Sequence, residues 1–273
     1  MRHILCAFCV FWVVLGCNQA QVSDQEKDIE ILKRQFVAKA GLPASRLSAG
    51  MAMVDNKDGQ VFLVQQYWAG HRVMVQAVID SIYTTQPDLA AQMLARLMAA
   101  AGGEAKLHFE SQLIKLGDPA VDVLVTLAKD ETDWQTLMRT LDALGKIKAL
   151  KGVDVMRAHL SHPNSWVRIA AAHALGDVGV SEGGAALIHA LGDTSDTVVS
   201  AALVGLGKVG DLQAVRACGE KLKHKNARVR AAAVSALGRL GGAEAQGLLE
   251  PMLKDVDSGV RFKAKQALED LMR

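Results

Sequence analysis

Asp133, Asn164, Ser195, Asn226 and Asp257 lie 31 residues apart, and so do Leu144, Leu175, Leu206, Leu237 and Leu268. A fixed period of this length means stacked supersecondary units, because one unit is too small to bury its own apolar face. The first set are residues whose side chains accept from the free N–H groups of a first helical turn. After Asn164 the apolar positions Val167, Ala171, Ala174, Leu175 and Val178 follow the i, i+4, i+7, i+8, i+11 stripe of a helix. The same columns hold Val198, Ala202, Gly205, Leu206 and Val209, then Val229, Ala233, Ala236, Leu237 and Leu240, then Val260, Ala264, Ala267, Leu268 and Leu271. The small column Ala171, Ala202, Ala233 and Ala264 is expected to let neighbouring helices approach closely. Gly145, Gly176, Gly207 and Gly238, with Gly179, Gly210 and Gly241 beyond three of them, are expected to close each helix in a left-handed turn. A second, shorter helix follows, its stripe ending at Leu160, Leu191, Leu222 and Leu253. The reading is an all-α solenoid of helix-turn-helix units.

The run Val167-Arg168-Ile169-Ala170-Ala171-Ala172-His173-Ala174-Leu175-Gly176-Asp177-Val178-Gly179 resembles a short bacterial HEAT-like repeat, the type also found in phycobilin lyase subunits. Val229-Arg230 to Gly241 and Val260-Arg261 to Leu268 resemble it too, and Val198-Val199 departs at the arginine. The resemblance covers roughly residues 104–273. It implies an α-solenoid with a curved, groove-like face, lined by the second helices. It does not imply lyase chemistry.

Residues 1–16 read as an export signal: Arg2 and His3, then an uncharged run Ile4–Leu15 too short to span a bilayer. Val14-Leu15-Gly16-Cys17 resembles the bacterial lipobox, which implies lipidation of Cys17 and a tether over residues 17–23. Asn18 resembles the pattern sorted to the outer membrane, so the expected location is the cell envelope, lipid-anchored and facing the periplasm. Of four cysteines, Cys6 and Cys9 leave with the signal, Cys17 is lipidated, and Cys218 falls in a core column with Met156, Leu187 and Leu249. Loss of Arg2 leaves 30 basic residues against 29 acidic ones. That balance points away from nucleic acid as a partner.

Residues 24–69 are expected to hold a helix over Ser23–Ala40 and an uncertain segment. In it, Met51–Val54 and Val61–Val64 suit two short strands about the Asp55–Gly59 turn. The turn lacks the spacing of a calcium loop. Residues 70–130 read as degenerate early repeats: a helix about Val75–Ile82, a helix capped by Thr85, and a slightly shortened unit ending near Ala128. Residues 131–273 hold the regular repeats.

No nucleophile elbow, phosphate loop, dinucleotide fingerprint or zinc-protease motif is present. His159 and His162 lack a third metal ligand in the sequence, and the Arg168, Arg230, Arg261 column suits pairing between units better than an anion ladder. Trp134 and Trp166 fall in first turns of first helices. Arg157, His189 and Arg216, on second helices, are the candidate partner contacts. The expected function is a non-enzymatic, lipid-anchored scaffold or adaptor binding a protein partner through its groove, with no metal and no cofactor. The alternatives are a lyase-like or enzyme-assisting protein with a ligand pocket, signalled by an acid-plus-histidine cluster, or an envelope structural or assembly factor.

Overall fold

The computed structural model describes residues 22–38, 43–54, 56–131 and 133–272. Cys17 and the export signal lie outside them. Two compact units are present, residues 1–105 and 106–273.

In the first unit, the helices are α1 (Val22–Val37), α2 (Pro43–Met53), α3 (Lys57–Trp68), α4 (Arg72–Tyr83) and α5 (Pro87–Ala100). Phe36, Met53, Leu63, Val78, Ile79, Leu94 and Leu97 form its core, as large apolar side chains on one stripe of each helix. The expected strands are corrected to helices. Asn56 Oδ1 accepts from Asp58 N and Gly59 N at 2.8 and 3.1 Å, so the polar stretch starts a helix rather than a hairpin. Gly59 is needed inside that first turn, where a Cβ would stand 2.3 Å from Met53 O. Thr85 is likewise not the cap of α5. Its hydroxyl donates to Ser81 O, and Gln86 holds the cap position ahead of Pro87.

The second unit is all-helical among the described residues. The first helices are α6 (Glu104–Leu116), α8 (Trp134–Ile147), α10 (Ser165–Val178), α12 (Asp196–Val209), α14 (Ala227–Leu240) and α16 (Ser258–Leu271). The second helices are α7 (Val121–Asp130), α9 (Val153–His159), α11 (Ser181–Ala190), α13 (Val215–Glu220) and α15 (Gly242–Leu249). Asp133, Asn164, Asn226 and Asp257 cap their helices through the side chain, whereas Ser195 holds the cap position without a side-chain cap bond, its hydroxyl lying 2.7 Å from that of Thr197. First helices end at Gly117, Lys148, Gly179, Gly210 and Gly241, with φ of 72, 59, 75, 74 and 73°. The 31-residue period therefore reaches back to the unit that the sequence suggested was shortened. Lys148 is the non-glycine residue in that left-handed column, where L side chains are disfavoured.

Gly145, Gly176, Gly207 and Gly238 do not close turns. A Cβ on Gly176 would stand 2.6 Å from Gly205 Cα, one on Gly145 2.7 Å from Ala174 Cα, and one on Gly238 2.7 Å from Ala267 Cβ. These glycines, rather than the Ala171 column, set the closest approach of neighbouring first helices. Second helices of adjacent units touch far less.

Candidate functional site

Between α9 and α11 lies an open groove of about 1100 Å³. Its walls include Asp154, Arg157, Ser161, His162, Arg168, His189, Asp193 and Thr194, and alanines at 158, 185, 186 and 190 form the apolar part. The structure thus brings together two of the three sequence candidates, Arg157 and His189. Arg216 is elsewhere, on α13, where its Nε donates to Glu244 Oε1 at 3.2 Å.

The turn that floors the groove is built by a device used five times. Glu131, His162, Asp193, His224 and Asp255, again 31 apart, accept the backbone N–H of Asp133, Asn164, Ser195, Asn226 and Asp257 at 2.7, 3.0, 2.7, 3.1 and 2.8 Å. His162 and His224 are therefore turn residues, and no group of three or more His, Cys, Asp or Glu among the described residues is placed to hold a metal ion. The lone pair on His162 Nδ1 is occupied, so the neutral ring carries its proton on Nε2.

Arginine locks several of these turns. Arg168 donates from Nε and Nη2 to Asp193 at 2.7 and 2.9 Å, and from Nη1 to the carbonyls of His162 and Pro163. Arg230 repeats this on Asp255, at 2.8 and 2.8 Å, and on His224 O and Lys225 O. In two copies the arginine's position holds Leu137 and Val199, and the following turn holds His162 and His224, while in the last copy Arg261 again donates from Nη1 to two turn carbonyls, those of Asp255 and Val256. The gap at Val199 thus goes with a histidine rather than an aspartate in the turn that follows, as at Leu137 and His162. Lys106 acts on an earlier turn, donating to Asp133 Oδ2 and Thr136 Oγ1 at 3.2 and 2.6 Å. Asp255 is held below the usual carboxylate range by the Arg230 hydrogen bonds, and Asp133 is lowered to about 2, chiefly by the Thr136 hydroxyl.

Sequence reasoning missed the ionic cluster on the first helices. Glu110 on α6 is 3% exposed and accepts from Arg139 and Lys146 at 3.4 and 3.3 Å; Lys146 also reaches Asp142 at 2.6 Å. Burial, reinforced by neighbouring Asp142, pushes Glu110 up to about 7. In the next helix His173 is lowered, first by burial and then by Lys208, which pairs with Asp177. The signal was present in Asp142, Lys146, His173, Asp177 and Lys208 at helical and 31-residue spacings, but only stacking brings Glu110 to them. Trp134 and Trp166 are both exposed at the starts of α8 and α10. Cys218 is buried, and desolvation raises its thiol to about 12, which makes it inert. No helix among the described residues is long and apolar enough to cross a membrane.

No curated protein matches the chain at a significant level. Solved structures similar to it include the complex of CpcE and CpcF of phycocyanin lyase from Nostoc sp. PCC7120, 25% identical over 66% of this chain and 77% of that one, with a TM-score of 0.47. An engineered protein is 21% identical over 71% of this chain and 94% of its own, with a TM-score of 0.49. A designed armadillo repeat protein in complex with the peptide (KR)4 is 18% identical over 77% and 98%, with a TM-score of 0.48. A model of HEAT repeats matches residues 121–207 and again 184–269, together more than half of the 273 residues. The chain belongs to the HEAT-repeat family.

Proposed function

We propose that this HEAT-repeat protein is a non-enzymatic scaffold, lipid-anchored through Cys17 at the bacterial cell envelope, that holds a protein partner. The observation that carries the reading is the open groove between α9 and α11, with Arg157 and His189 on its walls. Large, open, mixed polar and apolar surfaces suit the docking of a chain segment better than the enclosure of a small molecule. The anchor rests on Val14-Leu15-Gly16-Cys17, and the outer-membrane, periplasm-facing address on Asn18. The test is cross-linking in the native host, with a photoreactive residue at 157, 189 and 216 in turn, read by mass spectrometry. One dominant protein captured from positions 157 and 189 supports the scaffold. No enriched capture at either refutes the groove as its docking site. For the anchor, unchanged processing and membrane fractionation in Cys17→Ser would refute lipidation.

A second reading is favoured by one observation, the acid-plus-histidine line of Glu110, Asp142 and His173, which would suit an enzyme-assisting role with a bound ligand. Every carboxylate in that line is already paired with a cation, so we rank it second. Native mass spectrometry of the full chain from its host decides: a retained small molecule lost on Glu110→Gln and His173→Ala would favour it.

A further inference from the structure

Resting on the anchor at Cys17, we infer that the α3–α4 turn of the first unit docks on an anionic lipid surface through Trp68, Arg72 and Val73. From Trp68 to Val73 every residue but His71 is exposed, Trp68 at 36% and Val73 at 86%. A Cβ on Gly70 would meet nothing within 4 Å, so the turn projects from the bundle. The Arg72 guanidinium lies 5.8 and 5.6 Å from the ring centres of Tyr67 and Trp68. An indole, an exposed aliphatic side chain and an arginine on one projecting turn are the groups that settle at a headgroup boundary.

Charge is sorted toward the same place. Acidic residues are absent from 31–54 and from 59–79, stretches that include Arg34, Arg46 and Arg72. Arg46 ties them together: it donates to Phe36 O at 2.7 Å and to His71 Nδ1 at 3.2 Å, joining the end of α1 and the start of α2 to the α3–α4 turn. Lys33 is spent on Glu30 at 2.7 Å, but neither Arg46 nor Arg72 pairs with a carboxylate among the described residues. The acids of the flanking helices stand off. Asp58, in the first turn of α3, is about 15 Å along that helix from Trp68, and Asp80 is about 12 Å along α4 from Arg72. Gln60 Nε2 donates to Gln92 Oε1 at 3.3 Å, which sets the first half of α5, with Asp88, beside the start of α3 rather than its end. Reach selects a bilayer as the anionic surface. The chain from Cys17 to Val22, where α1 begins, spans at most about 17 Å. α1 is itself about 24 Å long, so the end that Arg46 holds comes within reach of the same bilayer. Asp24, Glu26, Asp28 and Glu30 fall in the first half of α1, next to the tether, whose length lets them stand away from the lipid.

The test uses the full lipidated chain in phosphatidylcholine vesicles, with and without phosphatidylglycerol, carrying an environment-sensitive dye on Val73→Cys. Cys218 is buried, so the dye goes to the introduced thiol. Nitroxide-labelled lipid is expected to quench the dye at 73 several-fold more than one on Thr84→Cys, about 16 Å away past the other end of α4. Quenching at 73 should need phosphatidylglycerol and weaken as salt rises. Arg72→Glu should lower the ratio of docked to undocked chain about tenfold, as reversal of one charge at the surface implies, and Arg72→Lys should restore most of it. Arg72, Val73 and Thr84 are exposed, and circular dichroism checks that each variant keeps its helicity. Equal quenching at 73 and 84, no need for phosphatidylglycerol, or indifference to Arg72→Glu overturns the inference. So does a photoreactive residue at 73 that captures one protein in the host while the dye stays unquenched, because the turn then serves a protein. Flotation of the same vesicles separates the two readings. A chain that floats only with Cys17 intact, yet is unquenched at 73, keeps its anchor and loses the docking surface. One that floats equally as Cys17→Ser, still quenched at 73, keeps the docking surface and loses the anchor. A chain that floats in neither form loses both.

Discussion

Replacing Arg230 with valine should expose how the arginine-locked turns work. The side chain makes four hydrogen bonds, two to Asp255 and one each to the carbonyls of His224 and Lys225. Asp255 is 7% exposed, so removing the arginine leaves a largely buried carboxylate holding only the Asp257 N–H. Orphaning one partner of a buried pair costs about 3 kcal/mol. For a unit of this size, with about 2–4 °C lost per kcal/mol, the midpoint should fall by about 6–12 °C. The chain itself supplies the remedy. Val199 is followed in the next turn by His224, whose Nδ1 accepts from Asn226 N at 3.1 Å without any arginine. Adding Asp255→His to Arg230→Val rebuilds that second kind of joint. It should recover at least half of the loss, a coupling of about 1.5 kcal/mol or more. Thermal and urea unfolding followed by circular dichroism would give the cycle. A double variant no more stable than the sum of the two single changes would refute the claim that the two joints are interchangeable modules.

Gly176→Ala forces a Cβ to within 2.6 Å of Gly205 Cα, backbone that cannot swing aside. It should cost about 3 kcal/mol by overpacking, measured by urea unfolding, and a loss under 0.5 kcal/mol would mean the first helices slide freely. Lys148→Gly relieves a left-handed residue at φ 59° and should stabilise by about 1 kcal/mol; the same measurement checks it. Glu110 ionises near 7 in the fold, above its unfolded value of about 4.3. The folded state therefore favours its protonated form, and that contribution is present below about pH 4 and fades as pH rises through 7. Glu110→Gln should flatten stability between these values. Asp255 and Asp133 act in the opposite sense: their folded values are lowered, so their contribution is present above about pH 4 and is lost on further acidification. A stability profile from pH 3 to 8 tests both signs.

The sequence went furthest where one physical demand recurs at one spacing. The side-chain caps Asp133, Asn164, Asn226 and Asp257 and the buried leucine column stood in the same order in sequence and structure, because each is satisfied within one turn or one helix face. Legibility failed where residues serve a neighbour rather than themselves. Gly176 looked like a helix terminator and is a contact point, since what it makes room for lies 29 residues on, at Gly205. Val61–Val64 looked like a strand because four residues cannot distinguish a buried helix segment from a strand, and the Asn56 cap made them part of a helix.

Local propensity and period fixed the helices, their caps and the number of stacked units. Stacking alone decided where neighbouring units touch most closely, at the glycine contacts between first helices. Stacking also makes the groove between α9 and α11, the meeting of Arg157 with His189, and the burial of Glu110 beside Asp142. Each needs side chains from different units at one point, a condition that a chain read one residue at a time does not contain.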